Sequence, residues 1–353
     1  MPHFNARVCA PTNLKDKVFV ISVFPNSAAV PGKLAHVFSS GGSTGIGAAT
    51  VELIASLGGK VVFGDVNRDA SEALIRKLKN PDIHFRFCDV RSYGDVVALF
   101  RDTLSLFGRV DHAVANAGVI EQGNCFDKSL TIDTVGQEPT TLVLDVNLKG
   151  LFYFSRVAAV YMAHEKGVED DRSLTLLSSA AGFIESRNLF LYQSSKHGVL
   201  GLLRTCRLAF PDGMKDVRVN ALCPSFVRTA MTKDIASAWD KAGLPANEVE
   251  DVANAIAMMA ASDKTIAPRL LEDHVGATGV PLSQMKSYGA MEWGAVESRV
   301  GLTGRAFYVE GGVCWDIEEG LDKTRPLWLG QQPNDQIAQV QSLMRKIGYR
   351  ERN

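Results

Sequence analysis

At 353 residues the chain is long enough for one large α/β domain or two small ones, and 46% apolar with 22% charged residues is the balance of a soluble globular protein. A net charge of −1 gives no electrostatic reason to expect nucleic acid or an anionic membrane as partner. The seven His and six Cys residues show no CxxC and no paired ligand spacing, which argues against a metal site and a disulfide framework.

No run approaches the ~20 apolar residues of a membrane span, and the amino terminus, MPHFNARVCAPTNLKDK, lacks the basic-then-apolar layout of a secretory leader. The expected setting is the cytoplasm. Lys17 to Ile21 (KVFVI) is β-branched and aromatic, and predicts the first buried strand. Residues 23–40, VFPNSAAVPGKLAHVFSS, follow with two prolines and no clear periodicity. Three readings are open: a surface loop inserted between strand and helix, a takeover of the strand by HVFSS (His36 to Ser40), or a translated, unspliced intron. The length and clean placement of the segment favour the third.

Gly41, Gly45 and Gly47 lead into an amphipathic helix, Ile46 to Leu57. Glycines there permit a tight turn and close approach of a pyrophosphate to the helix amino terminus, although a plain strand-to-helix turn reads the same way. KVVFGDV (Lys60 to Val66) is the next strand and ends in Asp65, about 20 residues past the loop, where a carboxylate can bond the adenosine ribose. It would repel a 2′-phosphate, which predicts NAD over NADP; Arg68 nearby qualifies this, and Asp65 also suits a simple turn. A helix (Ala70 to Leu78) and a strand (His84 to Cys88) precede Asp89-Val90, where the Asp also suits a helix cap. A helix from Tyr93 to Phe107 and the strand DHAVANAG, carrying Asn116-Ala117-Gly118, come next.

A long helix from Thr140 to His164 holds Asn147 among apolar neighbours, where a polar amide needs partners. Leu174 to Leu177 is a strand with Ser178 and Ser179 at its exit. Tyr192 and Lys196 then stand four apart, one turn apart on the same helical face. An ammonium beside a phenol favours the phenolate, which would bring Tyr192 down from its unperturbed value of roughly 10. Alone, such a pair is usually just solvated. Val217 to Leu222 predicts a sixth strand, Glu248 to Ser262 an amphipathic helix, and Gly304 to Gly312 a closing strand. Between the last two, residues 264–300 carry methionines and Trp293 suited to an apolar pocket, to core or to an interface, and His274 has no visible partner. After them come a Pro-containing turn and a helix-like end, Asp335 to Ile347, in a tail that covers a neighbouring subunit or dangles.

Strands alternating with helices, with a phosphate loop after the first, predict an α/β doubly wound parallel sheet with one dinucleotide site. Taken together, SGGSTGIG, NAG, the Asn of LDVNLKG, the Ser thirteen positions before the Tyr, and YQSSK occur in an order that resembles the short-chain dehydrogenase/reductase family, single-domain branch. The resemblance covers residues 14–312, and the motifs are highly specific as a set. It implies a seven-stranded Rossmann-type domain over 14–312, with 23–40 as an atypical insertion, a substrate lid over 230–300 and an extension over 313–353. Two departures stand out. Ala115 replaces the first Asn of the NNAG motif, and Pro224-Ser225 stands where the family has Pro-Gly.

The resemblance implies Asn147, Ser179, Tyr192 and Lys196 as the catalytic set. Asn147 would bind a water that passes protons from Lys196 to solvent, and Lys196 would also hold the nicotinamide ribose. Cofactor contacts would come from Gly41, Ser43, Gly45, Ile46, Gly47, Asp65, Asp89, Val90, Asn116, Gly118, Tyr192, Lys196, Val227 and Thr229. The implied activity is hydride transfer between NAD and a lipophilic secondary alcohol or its ketone, in a homodimer or homotetramer. The competing readings are a non-catalytic dinucleotide-binding protein, a product inactivated by the insertion at 23–40, and an NADP-dependent carbonyl reductase.

Overall fold

The computed structural model describes residues 3–7, 14–22, 39–40, 45–121, 125–164, 171–213, 217–261 and 303–347. Residues 41–44, including Gly41 and Ser43, lie outside them, as do 262–302, with His274 and Trp293.

Eleven strands are described: β1 (His3–Asn5), β2 (Val18–Ser22), β3 (Ser39–Ser40), β4 (Lys60–Asp65), β5 (Ile83–Phe87), β6 (His112–Ala115), β7 (Gly118–Val119), β8 (Ser173–Leu177), β9 (Arg218–Pro224), β10 (Ala306–Glu310) and β11 (Val313–Asp316). All but β3 and β7 form one sheet in the order β1-β11-β10-β9-β8-β6-β2-β4-β5. From β10 to β5 neighbouring strands are parallel, while β11 and β1 add antiparallel at the β10 edge. The sheet therefore has nine strands where seven were expected. The seven expected strands form its parallel part, and two short segments too brief to show a period extend its edge.

The helices α1 (Gly45–Ser56), α2 (Arg68–Leu78), α3 (Tyr93–Phe107), α5 (Leu151–Ala163), α6 (Phe190–Gly213) and α8 (Val249–Ala261) cover the sheet, and α7 (Lys233–Lys241) follows β9. The alternation of side chains along a strand decides which layer each residue feeds. Phe19 and Ile21 of β2 pack with α1 and α8, whereas Val20 packs with α3, α5 and α6 on the other face. Because β2 is paired to β4 on one side and β6 on the other, Lys17 to Ile21 is the central strand, and HVFSS does not replace it. Ser39–Ser40 instead pairs antiparallel with Gly118–Val119.

The chain runs outward from β2 to β4 and β5, then returns to β6 and proceeds to β8, β9 and β10. Strand order reverses between β2 and β6, and the crevice at such a switch point is where open α/β sheets bind ligands. The expected Thr140 to His164 helix is helical but not uniform. It comprises α4 (Leu142–Leu144), a π-helical stretch Asp145–Gly150, and α5.

The carboxyl-terminal residues are integrated as well. Beyond β11, α9 (Ile317–Leu329) and α10 (Gln331–Ile347) follow, and the buried Glu318 carboxylate accepts from Arg204 at 2.8 Å and Arg207 at 2.9 Å on α6. Among the described residues no helix is long and apolar enough to cross a membrane, and no group of three or more His, Cys, Asp or Glu could hold a metal ion.

Candidate active site

The crevice beside the β2–β6 switch point brings together residues that are far apart in sequence. Strand β8 ends at Leu177, and the chain then turns at Ser178 and Ser179 into a short helical turn, Ala180–Gly182, whose amide at Ala181 donates to Ser179 Oγ at 3.2 Å. Ser178 is buried and donates to the Lys196 carbonyl at 2.9 Å. Ser179 is the one left facing the site, near enough to the Tyr192 side chain to favour its phenolate. The sequence spacing had pointed to Ser179 of the two.

Tyr192 and Lys196 occupy adjacent turns of α6, with the Lys196 ammonium 5.5 Å from the Tyr192 ring centroid. Lys196 is buried and donates through Nζ to the Leu177 carbonyl at 2.9 Å. The expected drop in the Tyr192 pKa does not occur in this arrangement. Burial is the largest effect and pushes the phenol up; the nearby Ser179 hydroxyl opposes it. Burial also lowers the Lys196 pKa to about 8. The physical reason is that burial of the phenol outweighs the influences that favour the phenolate, and Lys196 Nζ lies by the ring and donates to the Leu177 carbonyl, with no hydrogen bond to the phenolic oxygen.

Asn147 sits in the π-helical stretch, fully buried. Its Oδ1 accepts from the Val119 amide at 2.8 Å, and its Nδ2 donates to the Val119 carbonyl at 2.8 Å and to Ser195 Oγ at 3.2 Å. Ser195 in turn donates to the Tyr192 carbonyl at 2.6 Å. One amide thus ties β7 to α6, and the wider π turn aims it there. A Cβ added at Gly118 would stand 3.6 Å from both Asn147 Oδ1 and Lys196 Nζ. The glycine keeps open the space those two groups border.

The other expected residues fall around the same crevice. Gly45 begins α1 with φ of +62°, a left-handed value suited to glycine, and Ile46 and Gly47 follow it, buried, in the first turn. Asp65 is buried at the end of β4 and accepts from the Asn67 amide at 2.9 Å. Arg68 lies with its guanidinium 4.6 Å over the Phe87 ring. Asp89 is gripped by Arg91 through both carboxylate oxygens, the shortest contact 2.6 Å, and does not cap α3; Ser92 does so by accepting from the Asp95 amide. Val90 is packed with Ala117, Val119 and Val146 beneath the site, and Leu191 and Tyr192 lie against that cluster. Asn116 is buried, and its Nδ2 has no hydrogen-bond partner. Val227 is buried and bridges to Asn247, while Thr229 caps the turn after it with Thr232. At the Pro224-Ser225 departure, the Ser225 amide donates to Val309 O at 2.8 Å and its hydroxyl accepts from Asn247 at 3.2 Å, so β9 is still tied to β10.

Two site neighbours were not singled out from the sequence. Ser195 is one, the second serine of YQSSK, which spacing alone does not set apart from Ser194. Glu121 is the other: its Oε2 accepts from the Tyr192 backbone amide at 2.6 Å, 71 residues away in sequence.

A model of the short chain dehydrogenase family matches residues 35–240. A short-chain dehydrogenase/reductase of Acremonium egyptiacum is 33% identical over 253 residues, 71% of this chain and 76% of that protein. A 2,5-dichloro-2,5-cyclohexadiene-1,4-diol dehydrogenase of Sphingobium indicum is 34% identical over 195 residues, 55% of this chain and 73% of that one. The solved structure of a Brucella melitensis 3-ketoacyl-(acyl-carrier-protein) reductase complexed with NADH aligns with a TM-score of 0.60 over 85% of this chain and 99% of that one. At 19% identity that is a likeness of fold. With a family model spanning more than half its length and a relative matched over most of both chains, this protein belongs to the short-chain dehydrogenase/reductase family and is by family an oxidoreductase of alcohol groups.

Proposed function

We propose that the protein interconverts a lipophilic secondary alcohol and its ketone with NAD, with Tyr192 as the general acid/base. The observation that carries this reading is the convergence of Tyr192, with Lys196 Nζ 5.5 Å from its ring, Ser179 at the exit of β8 and Asn147, which with Lys196 borders the space at Gly118.

The residues present fit a dinucleotide. The amino terminus of α1 offers a positive dipole end for a pyrophosphate, the orphaned Asn116 Nδ2 is a buried donor lacking an acceptor, and Gly118 leaves space before Asn147 and Lys196. Gly45, Ile46, Gly47, Asp65, Asp89, Val90, Asn116, Gly118, Val227 and Thr229 would hold it, with Lys196 on its ribose. When bound, the dinucleotide supplies a hydride acceptor or donor at its nicotinamide ring.

The chain's own groups handle the proton. In the reductive direction Tyr192, kept protonated by burial, gives its phenolic proton to the carbonyl oxygen. In the oxidative direction it first gives up that proton and then takes the hydroxyl proton, and in both Ser179 donates a hydrogen bond to the same substrate oxygen. A preorganised donor of this kind stabilises charge that develops on oxygen. Lys196, with a pKa of about 8, is poised to pass a proton near neutral pH, and Asn147 beside it positions a water on the way to solvent. For the cofactor choice, the Asp65 carboxylate at the end of β4 disfavours a 2′-phosphate, and Arg68 is engaged with Phe87.

Tyr192→Phe is expected to cut turnover by the ~10²–10⁴-fold that general acid/base catalysis typically contributes, while NADH still binds. Near-normal turnover in that variant would end the mechanism. Fluorescence titration should show NADH binding more tightly than NADPH, and equal affinities would remove Asp65 as the selector.

A further inference from the structure

Helix α6 carries Tyr192 in its first turn, and its own sequence supplies no cap for that turn. The first intrahelical bond runs from the Gln193 amide to the Leu189 carbonyl at 2.8 Å, so Leu189 holds the N-cap place. A cap works through a side-chain oxygen that accepts from the second or third amide of the helix, and leucine has none. Tyr192 is that third residue. Its amide is satisfied instead from 71 residues away, by Glu121 Oε2 at 2.6 Å. A carboxylate also suits the positive end of a helix.

Glu121 stands two residues past β7, and the same short stretch reaches Tyr192 by a second route. The Asn147 side-chain amide bonds both backbone groups of Val119 and donates to Ser195 Oγ, and Ser195 donates to the Tyr192 carbonyl. The main chain of Tyr192 is thus tied to residues 119–121 at its amide and at its carbonyl. Stability alone is a poor reason for the acidic residue. Glu121 Oε1 is sealed from solvent with no hydrogen-bond partner, and a buried acceptor left unpaired costs about as much as one helix-cap bond contributes.

We propose that Glu121 is a positioning residue: by holding the Tyr192 backbone amide it fixes the first turn of α6, and with it the place of the tyrosine side chain. This rests on the reading of Tyr192 as the catalytic acid/base. The effect falls on turnover, because a misplacement of about 1 Å can cost on the order of 10²-fold in rate. The elements α1 and β4, which would hold the dinucleotide, are not touched by Glu121.

The test compares the full chain with Glu121→Ala and Glu121→Gln, using NADH with cyclohexanone and 2-decalone as probes. Glu121→Ala should lower kcat by at least about tenfold, with KM for NADH nearly unchanged. Glu121→Gln keeps an oxygen for the amide and should retain most of the wild-type kcat. Glu318→Gln loosens the other end of α6; it controls for stability and should leave kcat alone. Hydrogen exchange at the Tyr192 amide should be at least about tenfold faster in Glu121→Ala than in wild type, and near wild type in Glu121→Gln. A normal kcat in Glu121→Ala, a Gln variant as slow as the Ala variant, or an equal loss in Glu318→Gln would overturn the proposal. Failure of Glu121→Ala to fold would also overturn it, by assigning the residue to stability. If wild type reduces neither ketone, the dehydrogenase reading fails on these probes, and Glu121 is judged by exchange alone. Unchanged exchange then refutes its hold on Tyr192, and faster exchange restored by glutamine sustains it.

Discussion

Lys196 shows the conflict between stability and function in a single side chain. Its folded pKa of about 8 lies below the ordinary lysine value of 10.5, so folding opposes its charge. The sign follows from proton counting. Between pH 8 and 10.5 the unfolded chain holds more protons at this site than the folded one, so stability rises with pH across that window. Below pH 8 the penalty is fully present. Lys196→Met removes it along with the bond to Leu177 O, and should stabilise the protein by about 2 kcal/mol at pH 7, with turnover lost. The gain should fade as pH is raised from 8 towards 10.5, when wild type and variant are compared by urea denaturation at each pH. A pH-independent difference would mean that lost packing is being measured. Gly182 is constrained in a different way, since a Cβ there would lie 2.6 Å from Ser178 Oγ and 2.9 Å from the Lys196 carbonyl, on the bond that fixes the catalytic loop to α6. Gly182→Ala should therefore displace Ser179 from Tyr192, cost about 1–3 kcal/mol by overpacking, and depress kcat more than NADH affinity. Unchanged steady-state kinetics would show that the loop position is not critical.

At the scale of elements, α6 does two jobs along its length. Its first turns carry Tyr192, Ser195 and Lys196, and its later turns hold Arg204 and Arg207 against Glu318 at the start of α9. Glu318 is buried, but the two arginines are partly exposed, so solvent weakens the pairing below the 3–5 kcal/mol typical of a fully buried pair. Glu318→Gln should cost about 2 kcal/mol, read as a lowered urea midpoint; an unchanged midpoint would show that α9 contributes nothing to the hold on α6. How much of this was legible in the sequence follows from the length over which each pattern repeats. The core strands and the 3.6-residue helices were read within a residue or two, since burial on one face repeats over many positions. Tyr192 and Lys196 share a face because four positions make about one helical turn, whereas Ser179 and Asn147 come to the same crevice from the turn after β8 and from the π-helical stretch, which no spacing announces. The π-helical stretch at Asp145–Gly150 was not legible, since one extra residue per turn over six positions leaves no period to detect. Glu121 was not legible either: its partner is a backbone amide, which every residue offers, and nothing local marks Tyr192 as the one chosen.

For the whole molecule, the least legible feature is how the sheet ends. His3–Asn5 is three residues long and pairs with Val313–Asp316 from the far end of the chain, so no local pattern announces it. Yet it covers an edge. Without β1, the outer side of β11 would present unpaired backbone groups, the template on which sheets join edge to edge. The same segment is anchored in two ways. Phe4 is 1% exposed and meets Phe307 edge-on, with ring centroids 5.6 Å apart. Arg7 then forks onto both oxygens of Asp251 at 2.6 Å, and Asp251 accepts from the Glu248 amide at the start of α8. Removing residues 1–7 therefore takes away a buried ring, worth about 3–5 kcal/mol by analogy with Phe→Ala changes, and uncovers β11 at the same time. The thermal midpoint should fall by roughly 5–10 °C, and the protein should elute in larger, concentration-dependent species on gel filtration. Phe4→Ala separates the two effects, because it removes the ring but leaves the β1 backbone in place. That variant should lose the stability and keep the elution position of the intact chain. If it associates as the truncated protein does, the lost aromatic packing drives association, and the exposed strand edge does not.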